Sequence, residues 1–166
     1  GGLRLVPVLV TGEAANERAF TYDIYSDERD QYGQRTKVMS AVKPGVIVRL
    51  NAGIYNVAGT YGDANATARS DVTVEAGKLT ETSLRHAAAK VTFKLVSRAG
   101  GDAVADAQWN LVTAQGEAVK ESAGALPTHI IAPGRYTVIA RHAGQVFRRD
   151  FAVQAGDNAE VEVVMR

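Results

Sequence analysis

The second half of this chain repeats its first half. The run Leu50-Asn-Ala-Gly-Ile-Tyr-Asn-Val57 returns as Ile131-Ala-Pro-Gly-Arg-Tyr-Thr-Val138. Val74-Glu-Ala-Gly77 likewise returns as Val153-Gln-Ala-Gly156. Self-similarity at a fixed spacing, here about 80 residues, is typical of tandem structural units. In a chain of 166 residues it predicts two small domains of one fold, residues 1–86 and residues 87–166.

Alternation of apolar and polar residues is the dominant local pattern. In Lys90-Val-Thr-Phe-Lys-Leu95, the apolar residues Val91, Phe93 and Leu95 share one face of an extended strand. Gly and Pro-Gly turn signals separate such runs at short intervals, which is typical of sandwiches and barrels. The sequence therefore predicts an all-β protein of two tandem antiparallel β-sandwiches with about seven strands each.

Five residues are predicted to have structural roles, and four of them hold matching places in the two copies. Gly53 and Gly134 each precede a Tyr-x-Val strand, where a tight turn with positive φ favours glycine. Tyr55 and Tyr136 follow these glycines, and Trp109 is the one tryptophan of the chain. We expect the three aromatic residues to anchor the cores.

Composition excludes several classes of function. The 19 Lys and Arg residues balance 18 Asp and Glu residues, so no large field attracts nucleic acid or an anionic membrane. The lack of Cys excludes a disulfide framework, a thiolate nucleophile and a Cys-ligated zinc site. No apolar run approaches the roughly 20 residues that span a bilayer. The two glycines that open the sequence would suit a chain cut from something longer.

The Leu-x-x-Gly-x-Tyr-x-Val pattern at 50–57 and the Ile-x-x-Gly-x-Tyr-x-Val pattern at 131–138 resemble bacterial carboxypeptidase regulatory-like and Cna-B-like domains. Each is followed by a Val-x-Ala-Gly turn and a closing strand. The resemblance implies transthyretin-like or immunoglobulin-like sandwiches, which mostly serve as non-catalytic spacers and binding modules of exported or surface proteins. It implies a periplasmic or extracellular location, a protein or cell-envelope partner, and no cofactor.

Cna-B-like domains often carry a Lys-to-Asn or Lys-to-Asp isopeptide bond, and this sequence departs from that pattern. Lys90 and Lys94 lie on an early strand, but the closing run, predicted over 160–165, contains neither Asn nor Asp. The first copy has Arg4 where a lysine would be needed. We therefore expect no isopeptide bond.

The stretch 22–33 combines acids and tyrosines and offers a candidate ligand site. Asp27 and Asp30 could contribute to a calcium-binding turn, although the Asp-x-Asp-x-Asp-Gly rhythm is missing. Tyr25 and Tyr32, together with Tyr61, could stack on a carbohydrate. The alternative is a solvated hairpin turn, and clustering of the tyrosines at one end of the sandwich would favour a sugar site.

The hairpin 135–150 offers a second candidate. Arg135, Arg141 and Arg148 could bind a small anion, whereas Asp150 suggests a charge-paired outer face. Arg149 has the phase of the apolar residues beside it, which either a β-bulge or a position near the sheet rim would explain.

No catalytic motif accompanies these candidates. His86, His129 and His142 have no metal-ligand spacing, so a surface or junction role is expected for them, with His129 the candidate for a buried hydrogen bond. Neither a nucleophile elbow nor a phosphate-binding loop is present. The sequence predicts a non-enzymatic module with a structural or protein-interaction role. Carbohydrate or small-anion binding is the alternative, and a hydrolase is a third.

Overall fold

The structure, a computed structural model, describes residues 1–12 and 16–165. The chain divides into two compact units. Unit 1 contains Gly1–Gly62 and Ala66–Ala87, and unit 2 contains Asp63–Asn65 and Ala88–Arg166. Strands dominate both units, and the one helical element described is a single 3₁₀ turn, Glu17–Ala19.

Unit 1 has seven strands, which form two sheets. The larger sheet has the order β3-β2-β5-β6 and the smaller one the order β4-β1-β7. The strands are β1 (Gly2–Leu9), β2 (Phe20–Arg29), β3 (Arg35–Val42), β4 (Ile47–Arg49), β5 (Gly53–Tyr61), β6 (Ala66–Val74) and β7 (Leu79–His86).

Unit 2 repeats this topology strand for strand. Its larger sheet has the order β10-β9-β12-β13 and its smaller sheet the order β11-β8-β14. The strands are β8 (Ala89–Val96), β9 (Gln108–Thr113), β10 (Ala118–Ala123), β11 (Thr128–Ile131), β12 (Gly134–His142), β13 (Gln145–Val153) and β14 (Asn158–Val164). The predicted all-β fold with two small sandwiches of seven strands is confirmed.

One pairing in each unit is parallel rather than antiparallel. β1 pairs with β7, and β8 pairs with β14, in parallel register over most of their length. Strand directions alternate along a chain of hairpin-like connections, so the first and seventh strands run the same way and pair in parallel where they become neighbours. The sequence pattern carries no sign of this, because half-buried parallel and antiparallel strands alternate alike.

Each unit encloses its own apolar core between its two sheets. In unit 1 the core includes Leu3, Leu5, Tyr22, Ile24 and Val57. In unit 2, Val91, Phe93 and Leu95 all point into the core, as the alternation predicted. Trp109 packs there against the Phe93 ring at 5.6 Å between centroids, and its indole Nε1 donates to the Gly124 carbonyl at 3.0 Å. The core is thus apolar, with its one indole N–H satisfied.

The repeated glycine and tyrosine have the same geometry in both units. Gly53 has a φ of 159° and Gly134 a φ of 152°, and a Cβ on either would lie 3.9 Å from the ring of the tyrosine two residues later. Tyr55 donates its hydroxyl proton to the carbonyl of Asn51 at 2.7 Å, and Tyr136 donates to Ala132 at 2.5 Å. Each tyrosine therefore fixes the turn before its own strand, four residues back.

Candidate functional site

A polar network lies on the outer face of the larger sheet in unit 1. Asn56 on β5 stands directly opposite Asp71 on β6 and donates from Nδ2 to Asp71 Oδ1 at 3.0 Å. Arg69, two residues earlier on β6, donates from Nη1 to Asn56 Oδ1 at 3.0 Å. Although this face is turned to solvent, Asn56 is only 6% exposed, because its neighbours cover it. Both ends of its amide are therefore satisfied.

Tyr25 lies beside this network, between two cations. Lys37 Nζ is 5.6 Å from the centre of its ring, and Arg69 Cζ is 5.7 Å from it. Lys37 is also 3.6 Å from Asp23 Oδ2, and Asp23 Oδ1 accepts the backbone N–H of Ala41 at 3.0 Å. The ring attracts these two cations, and the cations in turn could contact an anionic group of a ligand beside the ring. Of the predicted tyrosines, Tyr25 is the one that has such surroundings.

Unit 2 repeats the central part of the network. Thr137 stands opposite Asp150, as Asn56 stands opposite Asp71, and donates from Oγ1 to Asp150 Oδ1 at 2.6 Å. Arg148 occupies the place of Arg69, two residues before the aspartate. We call each such arginine and aspartate an Arg-x-Asp pair. Both copies therefore carry this pair on the outward phase of the last strand in the larger sheet.

Sequence reasoning missed the pair as a repeated feature, although its signal was present. Arg69-Ser-Asp71 and Arg148-Arg-Asp150 stand at the same distance before the final strand of each copy. The apolar and turn residues make the repeat visible, whereas each arginine and aspartate looks like an ordinary charged pair within its own hairpin. The pair stands out only when the two copies are aligned. Asn56 was missed because nothing in its neighbourhood marks an amide as a buried cross-strand partner.

The three arginines predicted to bind an anion are exposed on one face of the β12–β13 hairpin but do not converge. Arg135 lies opposite Ala152, Arg141 opposite Val146, and Arg148 opposite Ile139. Arg135 and Arg141 are six residues apart on one strand, which corresponds to about 20 Å. A single small anion cannot contact all three guanidinium groups.

Arg149 lies at the rim of unit 2. Its Nη1 donates to the carbonyl of Glu162 on β14, the edge strand of the opposite sheet. The Arg149 side chain thus points inward from β13 and bridges the edges of the two sheets.

The three tyrosines predicted to bind a sugar are not brought together. Tyr61 stacks on Phe20, the first residue of β2, with 4.3 Å between the ring centroids. Tyr25 stands halfway along β2, and Tyr32 lies in the turn beyond its end, 79% exposed. A strand of this length spans about 30 Å, so Tyr61 and Tyr32 lie at opposite ends of the sheet.

The two aspartates predicted for calcium serve different local contacts. Asp27 is 3.6 Å from Arg35 Nη2. Asp30 Oδ1 accepts the backbone N–H groups of Tyr32 and Gln34, each at 2.9 Å, which closes the β2–β3 turn. Within residues 1–12 and 16–165, no group of three or more acidic or His side chains is arranged to hold a metal ion.

One histidine, His86, is buried inside unit 1 and does not lie at its surface. His86 is 1% exposed, and neither ring nitrogen has a hydrogen-bond partner among the described residues. Burial therefore lowers the pKa of His86 below its usual range. The sequence does carry a signal for this inward orientation of His86, because Leu84, two residues earlier on the same strand, also faces inward.

His129 is half-buried and contacts Ser122, with Nε2 and Oγ 3.0 Å apart. Burial lowers the pKa of His129, the positive charge of Lys120 lowers it further, and Asp63 opposes both. His142 Nδ1 lies 3.1 Å from the carbonyl oxygen of Asp106.

The closing strand of unit 2 begins earlier than predicted. β14 starts at Asn158, which stands beside Lys90 in the parallel pair with β8. Both side chains are exposed and point away from the core. The predicted closing run 160–165 contains no Asn, but the strand itself begins two residues earlier and so includes Asn158.

Unit 1 also has an open cleft of about 770 Å³. Its apolar lining includes Val38, Ile47 and Leu79, and its cations are Arg49 and Lys78. Lys78 pairs with Glu75 at 3.0 Å.

Among the described residues, no helix has the length and hydropathy to cross a membrane.

Comparison with known proteins adds a family likeness in unit 2. Residues 90–165 are similar to the family described as the Rhizobiales growth-associated tandem repeat domain. No curated protein matches the chain.

Solved structures with a similar course of the chain include three bacterial proteins. The TIE protein of Bacillus anthracis is 14% identical, with a TM-score of 0.39, and the match covers 100% of this chain and 33% of that one. A streptococcal ancillary pilin is 14% identical, with a TM-score of 0.43 and coverages of 99% and 62%. The minor pilin GBS52 of Streptococcus agalactiae is 10% identical, with a TM-score of 0.40 and coverages of 99% and 96%. Likenesses this distant carry no information on function.

Proposed function

We propose that this chain is a non-catalytic β-sandwich module with a structural or protein-interaction role. The observation that carries the proposal is what the two copies share. They share a topology, a turn-fixing tyrosine and an outward Arg-x-Asp pair, whereas their candidate ligand residues differ from one copy to the other. Two domains that share a fold and an exposed Arg-x-Asp pair are suited to present the same kind of surface to a partner more than once.

The chemistry of the shared surface supports this role. The polar groups around Asn56 bind one another across neighbouring strands, and Thr137 binds Asp150 in the same way. Such cross-strand pairs stabilise strand register. A nucleophile and base poised for catalysis would instead be aimed at a pocket.

The proposal includes a place in an exported protein. In it, residues 1–86 and 87–166 act as two modules of a periplasmic or extracellular chain, and the partner is a protein or another component of the cell envelope. The resemblance of the repeated Gly-x-Tyr-x-Val motif to exported bacterial modules supports this location. The matched tandem-repeat family is consistent with repeated use of one module in a longer chain.

Carbohydrate or small-anion binding is a second candidate, favoured by one observation. Tyr25 has a cation on each side, Lys37 at 5.6 Å and Arg69 at 5.7 Å from its ring centre. Of the three tyrosines predicted to bind a ligand, it is the one that has cations beside it to contact an anionic group. In this alternative Tyr25 supplies the stacking face and the two cations hold acidic substituents.

A thermal-unfolding panel separates the two candidates. The chain is heated with Ca²⁺ or EDTA, with phosphate or sulfate, and with neutral and acidic oligosaccharides. A ligand at 100 times its dissociation constant adds about 2.7 kcal/mol of stability. Unchanged curves throughout support the module, and a shift that Tyr25→Leu abolishes while Tyr32→Leu retains it establishes the second candidate instead.

A further inference from the structure

Each larger sheet has one irregular edge and one regular edge. The edge strands β3 and β10 both show register shifts against their neighbours. The opposite edge strands, β6 and β13, each pair over nine residues with no shift. Bulges protect sheet edges from pairing with another chain, whereas long regular edges invite it. The regular edges are therefore the ones suited to a partner strand.

The free edge of β6 turns the backbone of its odd-numbered residues outward. The carbonyl of Asp71 accepts from Ser70 Oγ and that of Thr73 accepts from Thr80 Oγ1, each at 3.4 Å. These carbonyls are bonded by hydroxyl groups and not by β5, so they point away from that strand. Backbone groups alternate in direction along an antiparallel strand. Arg69 therefore also presents its N–H and C=O to the free edge.

The charges on this edge are self-complementary. Arg69, Ser70 and Asp71 are consecutive, and the two charged side chains share the outer face. If two β6 strands meet antiparallel about Ser70, Arg69 stands opposite Asp71 of the second copy, and Asp71 stands opposite its Arg69. The backbone N–H and C=O groups of both residues point toward the second β6 strand, so each Arg69–Asp71 pair can form two backbone hydrogen bonds.

We propose that two copies of this chain associate through antiparallel pairing of their β6 edges, with reciprocal Arg69–Asp71 contacts across a twofold axis. A self-complementary patch of this kind is what a twofold interface requires. In the single copy Arg69 reaches over β5 to Asn56 and Tyr25, so its side chain turns toward the edge on pairing, while Asn56 still holds Asp71. The inference rests on the proposed interaction role and names the partner as a second copy.

The same edge in unit 2 is less suited to this pairing. A twofold axis between Arg148 and Asp150 would place Arg149 opposite itself, and like charges directly opposite are destabilising. The Arg149 side chain also crosses the rim of its unit to Glu162. Ser70, at the same place in β6, is small and uncharged. The two edges therefore form a matched test and control.

Charge reversal at β6 tests the proposal. Sedimentation velocity would be measured over a wide range of protein concentration for wild type, Arg69→Asp, Asp71→Arg and the double swap. We expect wild type to dimerise, more weakly at high NaCl because exposed charge pairs are screened. Each single variant should lose at least 10-fold in association, because it opposes like charges.

Two restorations make the test specific to β6 edges. An equimolar mixture of the two single variants should form mixed dimers, since an Asp-Ser-Asp edge faces an Arg-Ser-Arg edge. The double swap should dimerise like wild type, because it exchanges the charges and keeps them complementary. Arg148→Asp and Asp150→Arg serve as controls with the same charge changes on β13 and should leave dimerisation intact. Far-UV circular dichroism would verify the fold of every variant.

A wild-type chain that stays monomeric at millimolar concentration overturns the proposal. So does a dimer that the β13 controls dissolve and the β6 variants leave intact. Neither outcome touches the proposed function, which fails separately if the thermal panel reveals a small-molecule ligand.

Discussion

The two units share a topology but fill one end of the core in different ways. In unit 1 this end contains Phe20, Tyr22, Gly59 and His86. Counting from the matched glycines, Gly59 and His86 correspond to Ala140 and Met165 in unit 2. Trp109 pairs with Ala140 as Tyr22 pairs with Gly59, so Phe20 and Tyr22 correspond to Ala107 and Trp109. Unit 2 thus packs one indole with small and apolar neighbours. Unit 1 packs three aromatic rings, and some of their polar atoms have no partner among residues 1–12 and 16–165.

The difference shows what the common fold can tolerate. An unpartnered buried polar group costs about 1–3 kcal/mol, and unit 1 has such groups on both Tyr22 and His86. Gly59 makes the arrangement possible, because it leaves room for both rings. We therefore expect unit 1 to be the less stable and more acid-sensitive half. Substitutions that place the residues of one unit at the matched positions of the other test this expectation.

The largest effect is expected from Gly59→Ala. A Cβ at this position would lie 2.7 Å from Cε1 of Tyr22 and 2.8 Å from Cε1 of His86, both on buried rings. Overpacking a core costs typically about 1–3 kcal/mol, and the two close contacts place this variant at the upper end. Urea unfolding followed by far-UV circular dichroism measures the loss.

The matched control is Ala140→Gly in unit 2, which should cost about 0.5–1 kcal/mol through backbone entropy. Trp109 is the single tryptophan, so its fluorescence reports unit 2 alone. Gly59→Ala should leave that signal at its wild-type midpoint if the units unfold separately. A loss below about 0.5 kcal/mol for Gly59→Ala would mean that the rings can move aside.

His86→Met gives unit 1 the residue of unit 2. The substitution removes two ring nitrogens that have no partner in the described part of the chain and puts an unbranched apolar side chain in their place. Since an unsatisfied buried group is costly, we expect a gain of about 1–2 kcal/mol in the free energy of unfolding. Calorimetry measures the shift, and a destabilised variant would show that ring packing on Phe20 outweighs the unpartnered nitrogens.

Mild acid should weaken unit 1 through the same residue. Burial lowers the pKa of His86 in the folded state, so below about pH 6.5 the unfolded chain binds a proton that the folded chain does not. Stability from this group is complete above pH 6.5 and falls with pH until the folded pKa is reached. The slope is at most about 1.4 kcal/mol per pH unit.

His86→Met should remove this slope, and the reciprocal Met165→His should bring one to unit 2. Urea midpoints at pH 7.5, 6.5 and 5.5 test both. Tryptophan fluorescence follows unit 2, and near-UV circular dichroism of tyrosine follows unit 1, which contains five of the six tyrosines. His129 contributes a slope of the same sign in unit 2, because burial lowers its pKa too, although the charge of Asp63 opposes that lowering. An unchanged slope in His86→Met would assign the acid response to other groups.

Sequence reasoning predicted what depends on short-range periodicity. Alternation places Val91, Phe93 and Leu95 inside, and the repeat places Gly53 with Gly134, because both signals are local. It did not predict the parallel pairing of β1 with β7, since register between distant strands leaves no mark on either.

For the candidate sites too, the sequence predicted local features but not contacts between neighbouring strands. Tyr25 and Tyr32 are close in sequence, but an extended strand separates them in space, and nothing in the sequence says which tyrosine has cations beside it. Asn56 and Asp71 are fifteen residues apart and meet only through the hairpin register. Site geometry on a sheet face depends on cross-strand partners, which a reading along one strand does not supply.

The smallest effect is expected from Tyr22→Phe, and it separates packing from polar cost. The Tyr22 hydroxyl is buried and has no partner among the residues that the structure describes, and burial, together with the nearby Glu17 charge, raises its pKa. Removing it should leave stability unchanged or raise it by up to about 1 kcal/mol. The control Tyr136→Phe removes a hydroxyl that donates to Ala132 at 2.5 Å and should cost about 0.5–1.5 kcal/mol. Urea unfolding of both variants gives the comparison. If Tyr22→Phe were the more destabilising of the two, the hydroxyl of Tyr22 would have a partner, and the polar atoms of unit 1 would be part of its stability rather than a cost to it.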